Sequence, residues 1–423
     1  MTPPDIARQL KTRVAHAARV VAARCGLPND RDLVISFLFP PANETSGVVM
    51  AKRIHDWPRD VDVVANQPPS NRQEDPGTLR VAGPRLKRVK RVKGRRNPLK
   101  NWAVAEHFSI KGSEKVAQLE RERGRYRRVY SRSMMPSSHL LAIQLKLDRP
   151  SLRWTAEFSD PLLIDTLGER RTTATDGAPL AQRIASAIER AGVTLDDRDN
   201  MFELIEYGVY VLADKIVFTN PAQRDLMLSQ ISSRALRDKV AAKATVSPHP
   251  APAPDLYTAV EPTVPLPADR LTIGYFGAFY NMRGVSDLVT PFQLLPPEER
   301  RHVQLFVFTD RVEAAAQTVE ELGLSECVTV HGFVPYLEFL ALTKQLDALL
   351  VADARVADSH GINPYLPSKV SDYSGSGTHI WALVEHGSPL SQYPGVTATP
   401  IDDDAAKLAH LRLLIEQHVH GQH

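Results

Sequence analysis

Cysteine is nearly absent: Cys25 and Cys327 are the only two in 423 residues. They lie far apart in sequence, so neither a disulfide framework nor a Cys-based metal site is indicated. A reducing cytoplasm fits that usage. Long apolar runs are missing too, and nothing approaches the roughly 18 uninterrupted apolar residues of a membrane helix. The stretch from Met1 to Asp5 has no basic region and the next twenty or so residues are amphipathic, so no secretory signal is expected. Net charge is only +3. The remaining composition, 43 % hydrophobic and 24 % charged, is that of an ordinary globular protein. At roughly 100–200 residues per domain, the length points to two or three domains.

Charge is uneven despite the small total. Between Arg85 and Arg96 eight of twelve residues are Lys or Arg, and a second basic run, RERGRYRR, ends at Arg128.

Hydrophobic patterning predicts an amphipathic helix over 4–24, with Ile6, Leu10, Val14, Ala17 and Val21 at helical spacing. LVISFLFPP (33–41) is a short apolar run ended by two prolines, as in a buried parallel strand. ETSGVVMAKRIHDW reads as loop and helix, with Thr45 or Ser46 as N-cap, and 61–65 as a second strand. The segment 66–128 is polar, basic and rich in Pro and Gly, with a helix opening at NWAVAEHF. HLLAIQLKL reads as helix, LRWTAEFS as strand, FELIEYGVYVLA as helix, KIVFTN as strand and PAQRDLMLSQI as helix.

Residues 247–269 are proline-rich, which predicts a semi-extended linker and a domain boundary. Beyond it apolar strands of 5–7 residues alternate with helices: LTIGYFGAF, VQLFVFT, VTVHGFV, ALLVA and HIWALV are the strands. That alternation predicts a parallel, doubly wound sheet. The expected organisation is therefore an N-terminal Rossmann-like domain (1–246), the linker (247–269), a second Rossmann-like domain (270–402) and a C-terminal helix (403–423). Ligands of such sheets bind at the carboxyl ends of the strands, which places a site in the cleft between two facing units.

Two segments could serve a phosphorylated ligand. In YFGAFYNMRGVSDL a strand ends at Gly277, and Arg283-Gly284 precedes a helix. Small residues let a phosphate approach backbone amides, and Arg283 would add a bidentate contact. In NPYLPSKVSDYSGSG, Ser368 stands near a helix cap, with Lys369 and Asp372 three residues apart on one face. Read singly, an exposed arginine and a surface ion pair explain them equally well.

Together and in this order, the two segments resemble the family 4 glycosyltransferases and their GT-B relatives. The resemblance covers about 250 residues in patches and is more specific in the second half. It implies an α/β fold of two Rossmann-like doubly wound domains facing across a cleft. It also implies transfer of a sugar from a nucleotide diphosphate sugar to a glycan or lipid-linked acceptor, with retention of configuration and no obligatory enzymatic nucleophile. Arg283 would contact donor phosphate. Asp372, in the Asp-Tyr…Gly-Ser-Gly ending, would hold the ribose hydroxyls. The family's first acid, eight residues earlier, falls here on Pro364, and a variant with Lys in a Pro-Ser-Lys segment matches Pro367, Ser368 and Lys369, so Lys369 would take over phosphate or donor-sugar contacts. VTVHGFVPYLEF would put Gly332, Phe333 and Val334 beside the base. FPPANETSG resembles the first βα loop, with Gly47 near the diphosphate. WTAEFSDPL, with Glu157 and Asp160, resembles a polar cluster near the acceptor. The C-terminal helix matches a family habit of crossing back to the first domain.

These residues predict a reaction needing no metal, since Arg283 and Lys369 can neutralise a leaving diphosphate and no Asp-x-Asp or His/Cys cluster is present. No cofactor beyond the donor is expected. Glu44, Glu157 and Asp160 are the candidate cleft acids. His139, His249 and His331 read as core or loop histidines. The run 85–96 has three readings: a solvated loop, a surface for anionic lipid that would hold a cytoplasmic enzyme at the membrane, or a nucleic-acid contact. A GT-B nucleotide-sugar epimerase and a non-catalytic nucleotide-sugar or polyanion-binding protein are the rival functions.

Overall fold

The computed structural model describes residues 29–67, 74–94, 99–279 and 284–421. The expected helix over 4–24 and Arg283 lie outside the described residues.

The first half runs β1 (Asp32–Ser36), α1 (Thr45–His55), β2 (Val61–Asn66), β3 (Leu86–Val92), α2 (Trp102–Arg123), β4 (Arg128–Ser133), α3 (Ser137–Asp148), β5 (Arg153–Phe158), α4 (Pro179–Arg190), α5 (Met201–Leu212), β6 (Lys215–Phe218), α6 (Pro221–Ser229), α7 (Arg234–Lys243) and β7 (Ala244–Val246). Its seven strands form one sheet in the order β3-β2-β1-β4-β5-β6-β7, and every pairing is parallel. The second half runs β8 (Leu271–Phe276), α8 (Val285–Leu294), α9 (Pro297–Arg300), β9 (Val303–Phe308), α10 (Val312–Glu321), β10 (Val328–His331), α11 (Tyr336–Gln345), β11 (Ala348–Ala352), α12 (Ala357–His360), α13 (Lys369–Tyr373), β12 (His379–Val384), β13 (Val396–Pro400) and α14 (Asp404–Gly421). Its six strands, also parallel, follow the order β10-β9-β8-β11-β12-β13.

Both orders reverse direction beside the first strand, the topological switch point of the Rossmann arrangement. In the first sheet the switch lies between β1 and β4, and in the second between β8 and β11.

Side-chain alternation along the strands builds three cores. Leu33 and Ile35 face the helices on the outer side of the first sheet, while Val34 faces the opposite way. That middle core takes Val48, Met50 and Ile54 from α1, and Tyr336, Leu337, Phe339 and Leu340 from α11. It is shared by both halves, so the halves are joined by apolar burial as well as by the chain. The third core lies beyond the second sheet and contains Leu411, Leu414 and Ile415 of α14.

That placement corrects the expectation that the C-terminal helix returns to the first domain. α14 packs on α8, β8 and β13, and Arg412 reaches Glu299 at 2.8 Å. Its apolar stripe fits the open face of the second sheet.

The basic run is corrected as well. Residues 86–92 are not a loop but the edge strand β3, in register with β2. Several of its cations have partners: Lys87 lies 3.5 Å from Asp60, Arg88 pairs with Glu122, and Arg91 donates to the carbonyls of Asn66 and Pro40. Charge on an open edge disfavours pairing with another sheet. The linker is only in part extended: Leu256 and Tyr257, in a short 3-10 turn, are buried in the middle core.

Gly47 has a steric role. A Cβ there would lie 2.9 Å from the Cα of Phe39 and 3.1 Å from the carbonyl carbon of Leu38. The first turn of α1 thus packs directly on the backbone leaving β1. We expect Gly47→Ala to destabilise the protein by about 1–3 kcal/mol through overpacking against an unyielding backbone, measured by denaturant unfolding.

Candidate functional site

Two adjoining cavities open at the carboxyl ends of the strands. The lower one, about 270 Å³, is built at the ends of β4, β5 and β6 from Arg132, Ser159, Asp160 and Thr219, with Gln223 of α6 and His249 of the linker. The second half closes it with Pro364, Tyr365, Leu366 and Ser368. The upper one, about 320 Å³, is built at the ends of β8 and β9 from Phe276, Gly277, Ala278 and Phe308, with Phe333, Val334, Tyr336 and Phe339 beyond β10. Ser368 and Lys369 close its floor, and Asn43 borders it from the first half. Glu44, Thr45 and Ser368 line both cavities, so the two form one cleft with contributions from both sheets.

The upper cavity is aromatic. Phe276 stacks on Phe308 at 4.4 Å and meets Phe339 edge-on at 4.7 Å. Phe333 is 43 % exposed at this wall. The Lys369 ammonium sits 4.4 Å from the Phe339 ring centroid and 3.8 Å from Asp372. Burial lowers the Lys369 pKa, partly offset by Asp372. Flat apolar faces beside a cation suit a planar base carrying an anionic tail.

The lower cavity is polar and rests on buried charge. Arg132 is 2 % exposed and donates to the Ser46 carbonyl and hydroxyl, to Ser159 at 3.0 Å, to His249 at 3.3 Å and to Glu157 at 3.2 Å. Glu157 also accepts from Arg53 at 2.8 Å and from the Tyr130 hydroxyl at 2.5 Å. Burial alone would raise its pKa, but Arg53 and Arg132 hold its carboxyl below the usual range. Asp160 is shifted the other way, raised by burial more than Arg132 and Arg171 lower it.

Six of the residues named from sequence, Glu44, Asp160, Gly277, Phe333, Val334 and Ser368, border the cleft, and Lys369 makes a seventh. Four others, Asp372, Glu157, Gly47 and Gly332, do not. Asp372 is 3 % exposed and its Oδ1 already accepts from Lys52 and from the Tyr336 hydroxyl, each at 2.8 Å. It therefore pairs with a cation of the first half behind the cleft floor, which corrects its assignment to the ribose. Glu157 is buried beneath the lower cavity rather than exposed in it. Gly47 is buried against the Phe39 backbone instead of facing a phosphate. Gly332 borders neither cavity, and Glu44, not Thr45 or Ser46, is the N-cap of α1.

His139 is a core histidine: burial lowers its pKa to about 3, and its Nδ1 lies 2.8 Å from the Ser131 hydroxyl. His331 stacks on Phe308 at 5.1 Å. His249, in contrast, borders the lower cavity. Sequence reasoning missed Arg132 and Lys52. Arg132 stands at the carboxyl end of β4, in a basic segment whose charge hid the strand. The alternation of Tyr130 and Arg132 with Val129 and Ser131 was the available signal.

Among the described residues, no group of three or more His, Cys, Asp or Glu side chains is placed to hold a metal ion, and no helix is long and apolar enough to cross a membrane.

No protein-family model matches the chain, and no curated protein matches it in sequence. Solved structures do match its fold. The chain is similar to sucrose-phosphate synthase from Thermosynechococcus elongatus, with 14 % identity over 92 % of this chain and 90 % of that one, at a TM-score of 0.57. It is similar to the catalytic domain of starch synthase IV from Arabidopsis thaliana bound to ADP and acarbose, with 8 % identity over 92 % of each chain and a TM-score of 0.56. It is also similar to a UDP-N-acetylglucosamine 2-epimerase from Listeria monocytogenes, with 11 % identity over 92 % of this chain and 88 % of that one, at a TM-score of 0.53. The fold is GT-B, an architecture these glycosyltransferases share with the epimerase.

Proposed function

We propose that the chain is a glycosyltransferase that takes a sugar from a nucleoside diphosphate donor and passes it to a glycan or lipid-linked acceptor. The observation that carries this reading is the double cleft: an aromatic cavity with a lysine, continuous through Glu44, Thr45 and Ser368 with a polar cavity. The upper cavity takes the nucleotide, with the base against Phe333 and Val334. Gly277, Ser368 and Lys369 face the diphosphate. The lower cavity takes the transferred sugar and the reacting end of the acceptor. Lys369 neutralises the charge that develops on the leaving diphosphate, where a fixed cation is most effective. No cofactor beyond the donor is required by this reading.

Lys369→Ala should weaken binding of the matching nucleoside diphosphate about 10- to 100-fold, the loss of one hydrogen bond to a charged group. Isothermal titration of wild type and variant checks this. Equal affinities would remove Lys369 from the phosphate site.

A second reading, a nucleotide-sugar epimerase, is favoured by one observation: Glu44, Asp160 and His249 all border the lower cavity, where acid–base work on a sugar could be done. It predicts that a nucleotide sugar alone is converted to its epimer. The transferase reading predicts no epimer, and turnover only when an acceptor is added.

A further inference from the structure

We infer that His379 and His410 form a two-imidazole site for a divalent metal of the zinc and copper kind, and that a metal bound there clips the C-terminal helix α14 to the second sheet.

His379 is the first residue of β12, and its backbone is set by the parallel register that pairs it with Ala348 of β11. His410 stands in α14, 31 residues further on. Its ring lies against that of Trp381, with 5.2 Å between centroids. Trp381 is fully buried, and its indole N–H donates to the Thr399 hydroxyl at 2.9 Å, so the surface beneath His410 is fixed. Sheet and helix thus bring the two imidazoles together before any ion arrives.

The two Nε2 atoms are 3.4 Å apart. The ring centroids are farther apart, at 5.6 Å, so each ring turns its Nε2 toward the other. That spacing is long for a hydrogen bond from an N–H donor, which prefers about 2.7–3.2 Å. It suits two ligands of one ion. Two zinc–nitrogen bonds of about 2.0–2.1 Å at a tetrahedral angle place their nitrogens about 3.3–3.4 Å apart. Imidazole is a ligand of zinc, copper and nickel, whereas magnesium and calcium take oxygen. His379 is exposed, so an ion can reach the gap, and water can fill the positions that two protein ligands leave open.

The pair lies at the amino end of β12, whereas the cleft opens at the carboxyl ends of the strands. The site is therefore separate from the cleft and does not depend on what the cleft binds. Its consequence is mechanical. α14 is held on the second sheet by Leu411, Leu414 and Ile415 and by the Arg412–Glu299 pair. An ion shared by His379 and His410 adds a link from helix to strand that exists only in the folded chain, so binding stabilises that arrangement.

Calorimetric titration of the intact protein with zinc(II) and copper(II), in a buffer that does not bind metal, should show one ion per chain, copper binding tighter than zinc. Magnesium should not bind. His379→Ala and His410→Ala should each weaken zinc binding at least about tenfold, the smaller of the losses that removing even an outer-shell partner causes. His418→Ala, which changes another histidine of α14, should leave the affinity unchanged. Amide hydrogen exchange over 404–421 should slow when zinc is added to wild type and not when it is added to either of the first two variants. No binding at millimolar zinc or copper, binding undiminished in those two variants, or an equal loss from His418→Ala would overturn the site. Binding that leaves exchange in α14 unchanged would overturn the clip.

Discussion

Lys52→Met should cost about 3–5 kcal/mol of stability, among the largest losses of any single substitution in this chain. The Lys52 ammonium leaves α1 of the first half and ends 2.8 Å from Asp372 and from the Ser371 hydroxyl in the second. The two charged side chains are 1 % and 4 % exposed. Burial lowers the Lys52 pKa and Asp372 opposes that shift. Removing the cation leaves a buried carboxylate with the Tyr336 hydroxyl at 2.8 Å and the more distant Lys369 at 3.8 Å. Replacing both partners by apolar groups, as in Lys52→Met with Asp372→Leu, should recover part of the loss, because a buried ion pair adds little over well-packed hydrocarbon. Denaturant unfolding of the two variants and wild type measures both effects. A loss under about 1 kcal/mol for Lys52→Met would mean that the pair is hydrated or open in solution.

Glu157→Gln should be of similar size, about 3–5 kcal/mol, because it strips a shared anion from two buried guanidiniums. Arg53 and Arg132 both depend on Glu157, and Tyr130 donates to it. The effect depends on pH. The folded-state pKa of Glu157 is depressed below that of the unfolded chain. Its contribution is therefore present above the unfolded value near ~4.3 and fades as pH falls through the folded value. Wild type should lose this increment on acidification below about pH 4, whereas Glu157→Gln should lack it throughout. Unfolding free energies at neutral pH and near pH 3 check the sign. Glu157→Gln should also loosen Ser247 and His249, since Arg53 and Arg132 hold the linker there.

Much of the fold was legible where one signal dominated. The strands of the second half are short apolar runs bounded by glycine, proline or polar turns, and β8, β9, β10, β11 and β12 lie where those runs stand. β3 and β4 were obscured because their sequences, LKRVKRV and RVYSRS, carry charge at strand positions. In β3 the charge faces an open edge, and in β4 Arg132 is neutralised by a glutamate on the neighbouring strand. Local patterning carries no record of either partner. The same applies to Asp372: spacing and family resemblance assign it to a ribose, but its partner lies 320 residues away. Gly277, Ser368 and Lys369, which stand at the ends of their own βα loops, border the cleft. Asp372, whose partner Lys52 belongs to the opposite half, does not.

The most direct test of the central claim is a titration of the intact protein with UDP, GDP, ADP, TDP and CMP, followed by calorimetry and thermal unfolding with and without EDTA. The account predicts saturable binding of one nucleoside diphosphate, unaffected by EDTA and weakened by Lys369→Ala. At about 100 times its dissociation constant that ligand should add about 2.7 kcal/mol of stability. No binding by any of them at millimolar concentration would contradict the assignment of the aromatic cavity to a nucleotide, and with it the glycosyltransferase reading.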